Sequence, residues 1–277
     1  MRSMRGSIPE VACKSALTRC GIPGVDFAVN PYVGCTHACV YCYASFMKRF
    51  TGHVEPWGTY VEAKSNVAEV LARQVRRPRA GKVMLTSVTD GWQPAEATHR
   101  LSRACLEALV GSGLSVGVLT KSDLVLRDLD VLAAFRDVVG AWRVSVGFSV
   151  TTLDDGLARW LEPGAPPPSA RLAALEQLSR AGVPTWVFVA PVLPGLTDAP
   201  EALAALIGGA RRRGAGEVLV DPFTFYPAAV TGLRAVIEER APSARRVFEA
   251  ACARPRDWRA WVRREAARAL QMAAPLA

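Results

Sequence analysis

The run NPYVGCTHACVYCYASFMKRF, residues 30–50, holds three of the chain's seven cysteines within eight residues. Cys35, Cys39 and Cys42 are spaced C-x3-C-x2-C in a loop that opens on Gly34 and leads into a helix-like run. Soft thiolates this close together point to zinc or an iron–sulfur cluster. A structural zinc takes four protein ligands. His37 is the nearest candidate for a fourth, but it lies inside the same tight loop, and the chain has no second C-x2-C or H-x3-H pair. Three cysteines on a 4Fe–4S cube leave one iron open to a chelating substrate or cofactor. Cys13, Cys20, Cys105 and Cys252 have no spacing for a second cluster and read as packing thiols. An odd cysteine count in a chain of 277 residues is not a disulfide framework.

Outward from this run, short apolar segments alternate with longer helical patterns. FAVNPYV (27–33) feeds the cysteine loop, and KVMLTSV (82–88), LSVGVLT (114–120), RVSVGFSV (143–150), PTWVFVAPV (184–192) and GEVLVDPF (216–223) follow. Their near-continuous apolar character is that of strands buried on both faces. Helical periodicity fills 66–77, 100–112, 124–136, 169–182 and 200–214, with Asn66 as an N-cap and Gly182 and Gly214 as stops. Strand-then-helix repeated in this way predicts an α/β fold with parallel strands and right-handed crossovers, a partial (β/α)6 TIM-like barrel. Helices over 233–251 and 257–274 are expected to cap it. The expected organisation is an N-terminal extension (1–24), a barrel core (25–228) and a C-terminal helical cap (229–277). The Pro-rich stretch 162–171 is a loop inside the core. Active sites of such folds lie in the loops after the strands, which is where the cysteines stand.

Composition narrows the class. The chain is 50% hydrophobic and 21% charged, which is a packed protein rather than a disordered one. No apolar run approaches the roughly 18 residues that span a bilayer, and the opening MRSMRGSIPE has no apolar h-region. No membrane association and a cytoplasmic location are therefore expected. The net charge of +9 comes largely from arginines at 73–79, 211–213, 245–246 and 254–264. These read either as solvated faces or as a surface for an anionic partner such as nucleic acid, and charge does not choose. No phosphate-binding G-x4-G-K-[ST], dinucleotide-binding G-x-G-x-x-G or nucleophile-elbow G-x-S-x-G motif occurs.

The cysteine motif, with Tyr41 before its last cysteine, resembles the radical S-adenosylmethionine (SAM) superfamily. The run NPYVGCTHACVYCYA looks like that superfamily's spore-photoproduct-lyase-like branch. So do VTDGWQPAE (88–96), LTKSDLVLRDLDVL (119–132), FSVTTLD (148–154), RLAAL (171–175) and APVLPGLTD (190–198). The resemblance implies that Cys35, Cys39 and Cys42 hold three irons of a 4Fe–4S cluster while SAM chelates the fourth. It also implies reductive cleavage of SAM to methionine and a 5′-deoxyadenosyl radical that abstracts hydrogen. The electron would come from a reductant such as flavodoxin or ferredoxin.

Further residues take roles only through the resemblance. Tyr41 packs near the adenine, or else is aromatic core filler. Tyr43 lines the substrate cavity or passes a hydrogen atom, with a purely structural role as the alternative. Ser87, Thr89 and Asp90 stand where the family's amino-group-binding segment follows the second strand, without its Gly-Gly-Glu form. Lys121 resembles the family lysine that pairs with the SAM carboxylate, a buried anion that needs a charged partner. Ser149 matches a family serine near the SAM ribose or carboxylate. Glu162 and Arg171 pair with each other, contact SAM, or form an ordinary surface pair.

One departure matters. A true spore photoproduct lyase carries a hydrogen-donating cysteine at the second strand, and KVMLTSVTD (82–90) has none. The expectation is thus a radical SAM enzyme, lyase or oxidoreductase in type, that is not a spore photoproduct lyase. Its substrate is a nucleic acid or, alternatively, a small metabolite or peptide. A non-catalytic iron–sulfur-binding protein is the alternative outside enzymes.

Overall fold

The computed structural model describes residues 8–77 and 80–273. The first seven residues of the expected N-terminal extension, Arg79 of the basic run and Ala274 at the end of the last expected helix lie outside them. The strands are β1 (Glu10–Val11), β2 (Thr18–Arg19), β3 (Phe27–Val29), β4 (Tyr32–Gly34), β5 (Val61–Lys64), β6 (Lys82–Leu85), β7 (Ser115–Thr120), β8 (Val144–Ser149), β9 (Thr185–Val192) and β10 (Glu217–Pro222). The helices are α1 (Lys48–Thr51), α2 (Val67–Gln74), α3 (Glu96–His99), α4 (Leu101–Leu109), α5 (Leu129–Ala133), α6 (Asp155–Leu161), α7 (Pro168–Arg180), α8 (Pro200–Arg212), α9 (Pro227–Arg240), α10 (Arg245–Ala253) and α11 (Pro255–Met272).

The main sheet has the order β10-β9-β8-β7-β6-β3-β2. Every pairing from β3 to β10 is parallel, and β2 closes one edge antiparallel to β3. Neighbouring strands in space are successive βα units in sequence, which is the partial (β/α)6 barrel expected. Register places Val83 beside Val116, Val116 beside Val144, and Val187 beside Val218. These valines are buried beneath the helices, in one core with Leu106, Leu109, Leu172, Leu175, Leu206 and Ile207. The alternate strand positions Met84, Leu119, Ser149, Trp186, Phe188 and Leu219 face the barrel interior and line a cleft there. A Cβ on Gly147 would overlap the Trp186 indole, so a glycine on β8 is what admits that ring to the interior.

Several local expectations are corrected. FAVNPYV is two strands rather than one, because Pro31 has no N–H for the ladder and Asn30 turns its side chain onto the Ser87 and Val88 N–H groups. The second piece, β4, leaves the barrel for a small sheet of order β1-β5-β4. The cysteine loop therefore follows β4, not the first barrel strand. Segment 124–136 is a 3-10 helix (Asp123–Asp128) followed by the short α5. The tail helix expected over 233–251 breaks into α9 and α10 at Pro242, which cannot continue a helix. Asn66 precedes α2 without capping it; its amide instead exchanges hydrogen bonds with the Cys13 backbone. The described part of the N-terminal extension is woven into both sheets through β1 and β2. In the tail, α9 packs on α6 and on the 3-10 helix after the cysteines, whereas α11 packs on α8 and β10. No helix among the described residues is long and apolar enough to cross a membrane.

Candidate functional site

The cysteine loop is clamped from two sides. Gly34 and Ala38 take positive φ, 78° and 52°, which turns the chain sharply between the cysteines. On one side, the loop after β6 holds it: Thr89 donates its hydroxyl to the Gly34 carbonyl at 2.5 Å, and the Thr36 N–H donates to Gln93 Oε1 at 2.8 Å. On the other, the Val40 N–H donates to the Leu161 carbonyl at 2.9 Å and the Gly164 N–H to the His37 carbonyl at 3.0 Å. A 3-10 helix over Tyr43–Met47 follows Cys42. Gln93 is fully buried and bonds this loop through both ends of its amide, a role the sequence reading missed. Its place inside the block VTDGWQPAE (88–96) was the available signal.

All three thiols line one cleft of about 500 Å³ at the C-terminal ends of the barrel strands, within the usual range of small-molecule sites. Tyr41, Tyr43, Ser87, Thr89, Asp90, Lys121 and Ser149 line it too, so the structure brings every sequence-predicted site residue to one place. Burial pushes the Cys35 thiol up to about 12, with Asp90 and Cys42 adding to the effect. Burial raises Cys39 and Cys42 as well, opposed at both by the Lys121 ammonium. Thiols in such surroundings ionise when a metal supplies the positive charge.

Lys121 directly follows β7, with its ammonium 5.8 Å from the Tyr41 ring centroid. Among the described residues it makes no ion pair. Burial alone would lower its pKa, but the fields of Cys39, Glu162 and Asp90 hold it raised. Asp90 is engaged on both oxygens: it accepts from the Lys121 N–H and the Thr120 hydroxyl at 2.7 Å each and from the Trp92 N–H at 2.9 Å. His37 Nδ1 lies 3.3 Å from the same carboxylate. Burial would raise the Asp90 carboxyl, yet His37 and these donors hold it well below the carboxylate range.

A second buried network surrounds the Tyr41 hydroxyl. Tyr41 donates its hydroxyl to Glu162 and lies 3.1 Å from the Thr151 hydroxyl. Arg171 bonds the other Glu162 oxygen, and donates to the Ser149 carbonyl at 2.9 Å and the Pro166 carbonyl at 2.9 Å. Glu162 and Arg171 are buried, which corrects the surface-pair reading. Tyr43 is 48% exposed and donates to the Ser87 carbonyl. The Ser87 hydroxyl accepts from Asn30 at 3.2 Å. Cys105 is buried in α4, a packing thiol as expected.

These residues fit an iron–sulfur cluster with a chelating ligand. His37 Nε2 is buried and has no hydrogen-bond partner among the described residues. Lys121 presents an unpaired cation beside the thiols. Among the described residues no three His, Cys, Asp or Glu side chains are gathered tightly enough for a single metal ion, and a cube that takes each thiolate at a separate corner does not need them to be.

A family model described as the radical SAM superfamily matches residues 29–207. An uncharacterized protein of Mycobacterium tuberculosis is 40% identical over 220 residues, 76% of this chain and 63% of its own length. The chain thus spans less than two thirds of that relative. An uncharacterized protein of Methanocaldococcus jannaschii is 31% identical over 191 residues, 69% of this chain and 70% of its own. Among solved structures, spore photoproduct lyase complexed with dinucleoside spore photoproduct matches with a TM-score of 0.62 at 19% identity, over 85% of this chain and 66% of that one. That likeness is one of fold.

Proposed function

The chain belongs to the radical SAM superfamily, and on that premise we propose that it is an enzyme whose Cys35, Cys39 and Cys42 hold three irons of a 4Fe–4S cluster and whose cleft takes SAM. When bound, that pair supplies an electron and a 5′-deoxyadenosyl radical for hydrogen abstraction. The observation that carries this reading is the convergence of three thiols, Cys35 buried and Cys39 and Cys42 half-buried, and the unpaired Lys121 on one cleft at the strand ends.

The chain's own residues divide the work. Lys121 pairs with the SAM carboxylate, and its charge offsets the cost of burying an anion. Thr89 and Asp90 act through the protein, Thr89 by holding the Gly34 carbonyl and Asp90 by fixing His37 and the end of β7. Tyr41 forms a wall of the SAM pocket, kept in place by Glu162 and Thr151. Ser149 and Ser87 offer hydroxyls to SAM, and Tyr43 stands between cluster loop and substrate space. The reductant is of flavodoxin or ferredoxin type, and the enzyme works in the cytoplasm. Of the described cysteines, those lining the cleft are Cys35, Cys39 and Cys42, while Cys20 stands close enough to Tyr43 for its charge to act on that hydroxyl. Because KVMLTSVTD (82–90) carries no cysteine, the proposed reaction is not that of the spore lyase, and substantial repair of dinucleotide photoproduct would overturn this. Nucleic acid is the substrate class favoured by the likeness to a structure that holds a dinucleoside photoproduct, and the +9 charge is compatible with it without choosing it.

The test is anaerobic reconstitution, reduction with dithionite and detection of 5′-deoxyadenosine from SAM by mass spectrometry. The wild-type chain should form it. Cys35→Ala, Cys39→Ala and Cys42→Ala should each lose both the cluster absorbance and the product. A full cluster in any of these variants would remove that residue from the ligand set.

A further inference from the structure

The stretch after Cys42 carries a row of rings out of the cleft. Tyr43, Phe46 and Phe50 stand three and four residues apart across the 3-10 helix Tyr43–Met47 and α1, so they share one face. Tyr43 and Phe46 stack with centroids 6.3 Å apart. Phe46 then meets Phe50 edge-on at 6.2 Å and Tyr226, just ahead of α9, at 6.4 Å. The row starts at the cleft, which is lined by Tyr43 and by Thr224, two residues before Tyr226. Its outer end is open, with Phe50 70% exposed. The base under the rings is braced. Thr51 donates its hydroxyl to the Met47 carbonyl at 3.3 Å, and Lys48 Nζ donates to the Val54 carbonyl at 3.2 Å. A Cβ on Gly58 would lie 2.7 Å from the Ala38 Cβ, so the segment after α1 is pressed onto the cysteine loop.

Arg49 is set among these rings. Its guanidinium lies 5.5 Å from the Phe46 centroid and 5.4 Å from that of Phe50, within cation–π range. Its Nη2 donates to the Tyr226 hydroxyl at 3.3 Å. The residue is exposed, and among the described residues no carboxylate pairs with it. The rings and one hydroxyl hold the guanidinium in place yet leave most of its five N–H donors free, and that fork suits a phosphate. Rings interleaved with an unpaired cation make the surface of a single-strand path, on which bases stack while charge follows the backbone. A duplex keeps its base faces covered and offers none to Phe50. A docked electron carrier has to approach the cluster, but it has no need of a row that leads into the cleft.

Resting on nucleic acid as the substrate class of the proposed function, we propose that Phe46, Phe50, Tyr226 and Arg49 seat a single-stranded flank of the substrate: an unpaired base stacks on Phe50, Arg49 takes the adjoining phosphate, and the strand runs past Tyr43 into the cleft.

The experiment measures binding by fluorescence anisotropy to anaerobically reconstituted wild type, Phe50→Ala, Phe50→Trp and Arg49→Gln. The probes are labelled oligothymidylate and oligouridylate of about 12 nucleotides, a length within the range of single-strand sites, and a DNA hairpin duplex. Wild type should prefer a single strand to the duplex, and the two single strands tell DNA from RNA. Phe50→Ala should weaken single-strand binding by about fivefold or more, the lower end of base stacking on a ring. Phe50→Trp, which keeps a stacking face, should retain it. Arg49→Gln should flatten the slope of log affinity against log salt by about 0.7, one phosphate on a single strand. Wild-type binding that no variant weakens overturns the proposal alone, as does a loss in Arg49→Gln with none in Phe50→Ala, or an equal loss in Phe50→Ala and Phe50→Trp. Wild type that binds no probe overturns nucleic acid as the substrate class and the proposal with it, while 5′-deoxyadenosine formation still tests the cluster and SAM separately. Unchanged binding, with 5′-deoxyadenosine formed more slowly from flavodoxin but not from dithionite, assigns the surface to the reductant and overturns the proposal.

Discussion

Glu162 and Arg171 illustrate how a single residue's role follows from what surrounds it. Both are buried, and each satisfies the other while also holding a piece of the site: Tyr41 for Glu162, and the end of β8 for Arg171. Removing one charge leaves the other uncompensated in a dry interior, the case in which buried pairs matter most. Glu162→Gln is expected to destabilise the protein by about 3–5 kcal/mol, measured by urea unfolding at neutral pH. Burial would raise the Glu162 carboxyl, but Arg171 and Lys121 keep it lowered. A carboxyl lowered in the folded state contributes stability that is present above its unfolded pKa and fades as pH falls through the folded one. The gap between wild type and Gln variant should therefore narrow with acidification. A gap that stayed constant from neutral pH to pH 3 would contradict the pairing.

Loops and strands carry the next level. The turn after β6 is short, yet it supplies Thr89, Asp90 and Gln93, which together hold the cysteine loop and the end of β7. Gln93→Leu would leave the Thr36 N–H without its Oε1 partner, while the Gly34 carbonyl keeps the Thr89 hydroxyl, at a cost of about 1–3 kcal/mol. The same change should lower iron content after reconstitution, because the loop loses its clamp before any ligand is touched. Iron loading equal to wild type would show that the clamp is dispensable. At this scale the barrel strands were readable because each is apolar on both faces, a purely local pattern. The split of FAVNPYV was less so: Pro31 marks a weak point, but the departure of β4 into a second sheet depends on β1 and β5, residues distant in sequence.

For the whole molecule, the cleft lies at the ends of β6 to β10, and the cysteine loop is gripped by the β6 turn, the 161–164 turn, segment 49–62 and α9. A Cβ on Gly232 of α9 would collide with the Val40 carbonyl, so even the tail helix seats directly on the loop. A ligand that binds only this assembled site stabilises the fold through mass action. The reconstituted protein should melt several degrees above the same protein stripped with chelator under anaerobic conditions, the shift for a few kcal/mol in a chain of this size. Coincident melts would place the cluster outside the cooperative unit. What the sequence by itself determined was the barrel and the cysteine triplet, because apolar periodicity and short spacings are local and survive without tertiary context. Only the tertiary structure decided that Glu162 and Arg171 are buried, that Asp90 bonds His37 and the end of β7, and that Gln93 holds the cysteine loop. Each of those depends on which distant segments share a wall of one cleft, and burial and charge pairing are properties of that shared space rather than of any stretch of chain.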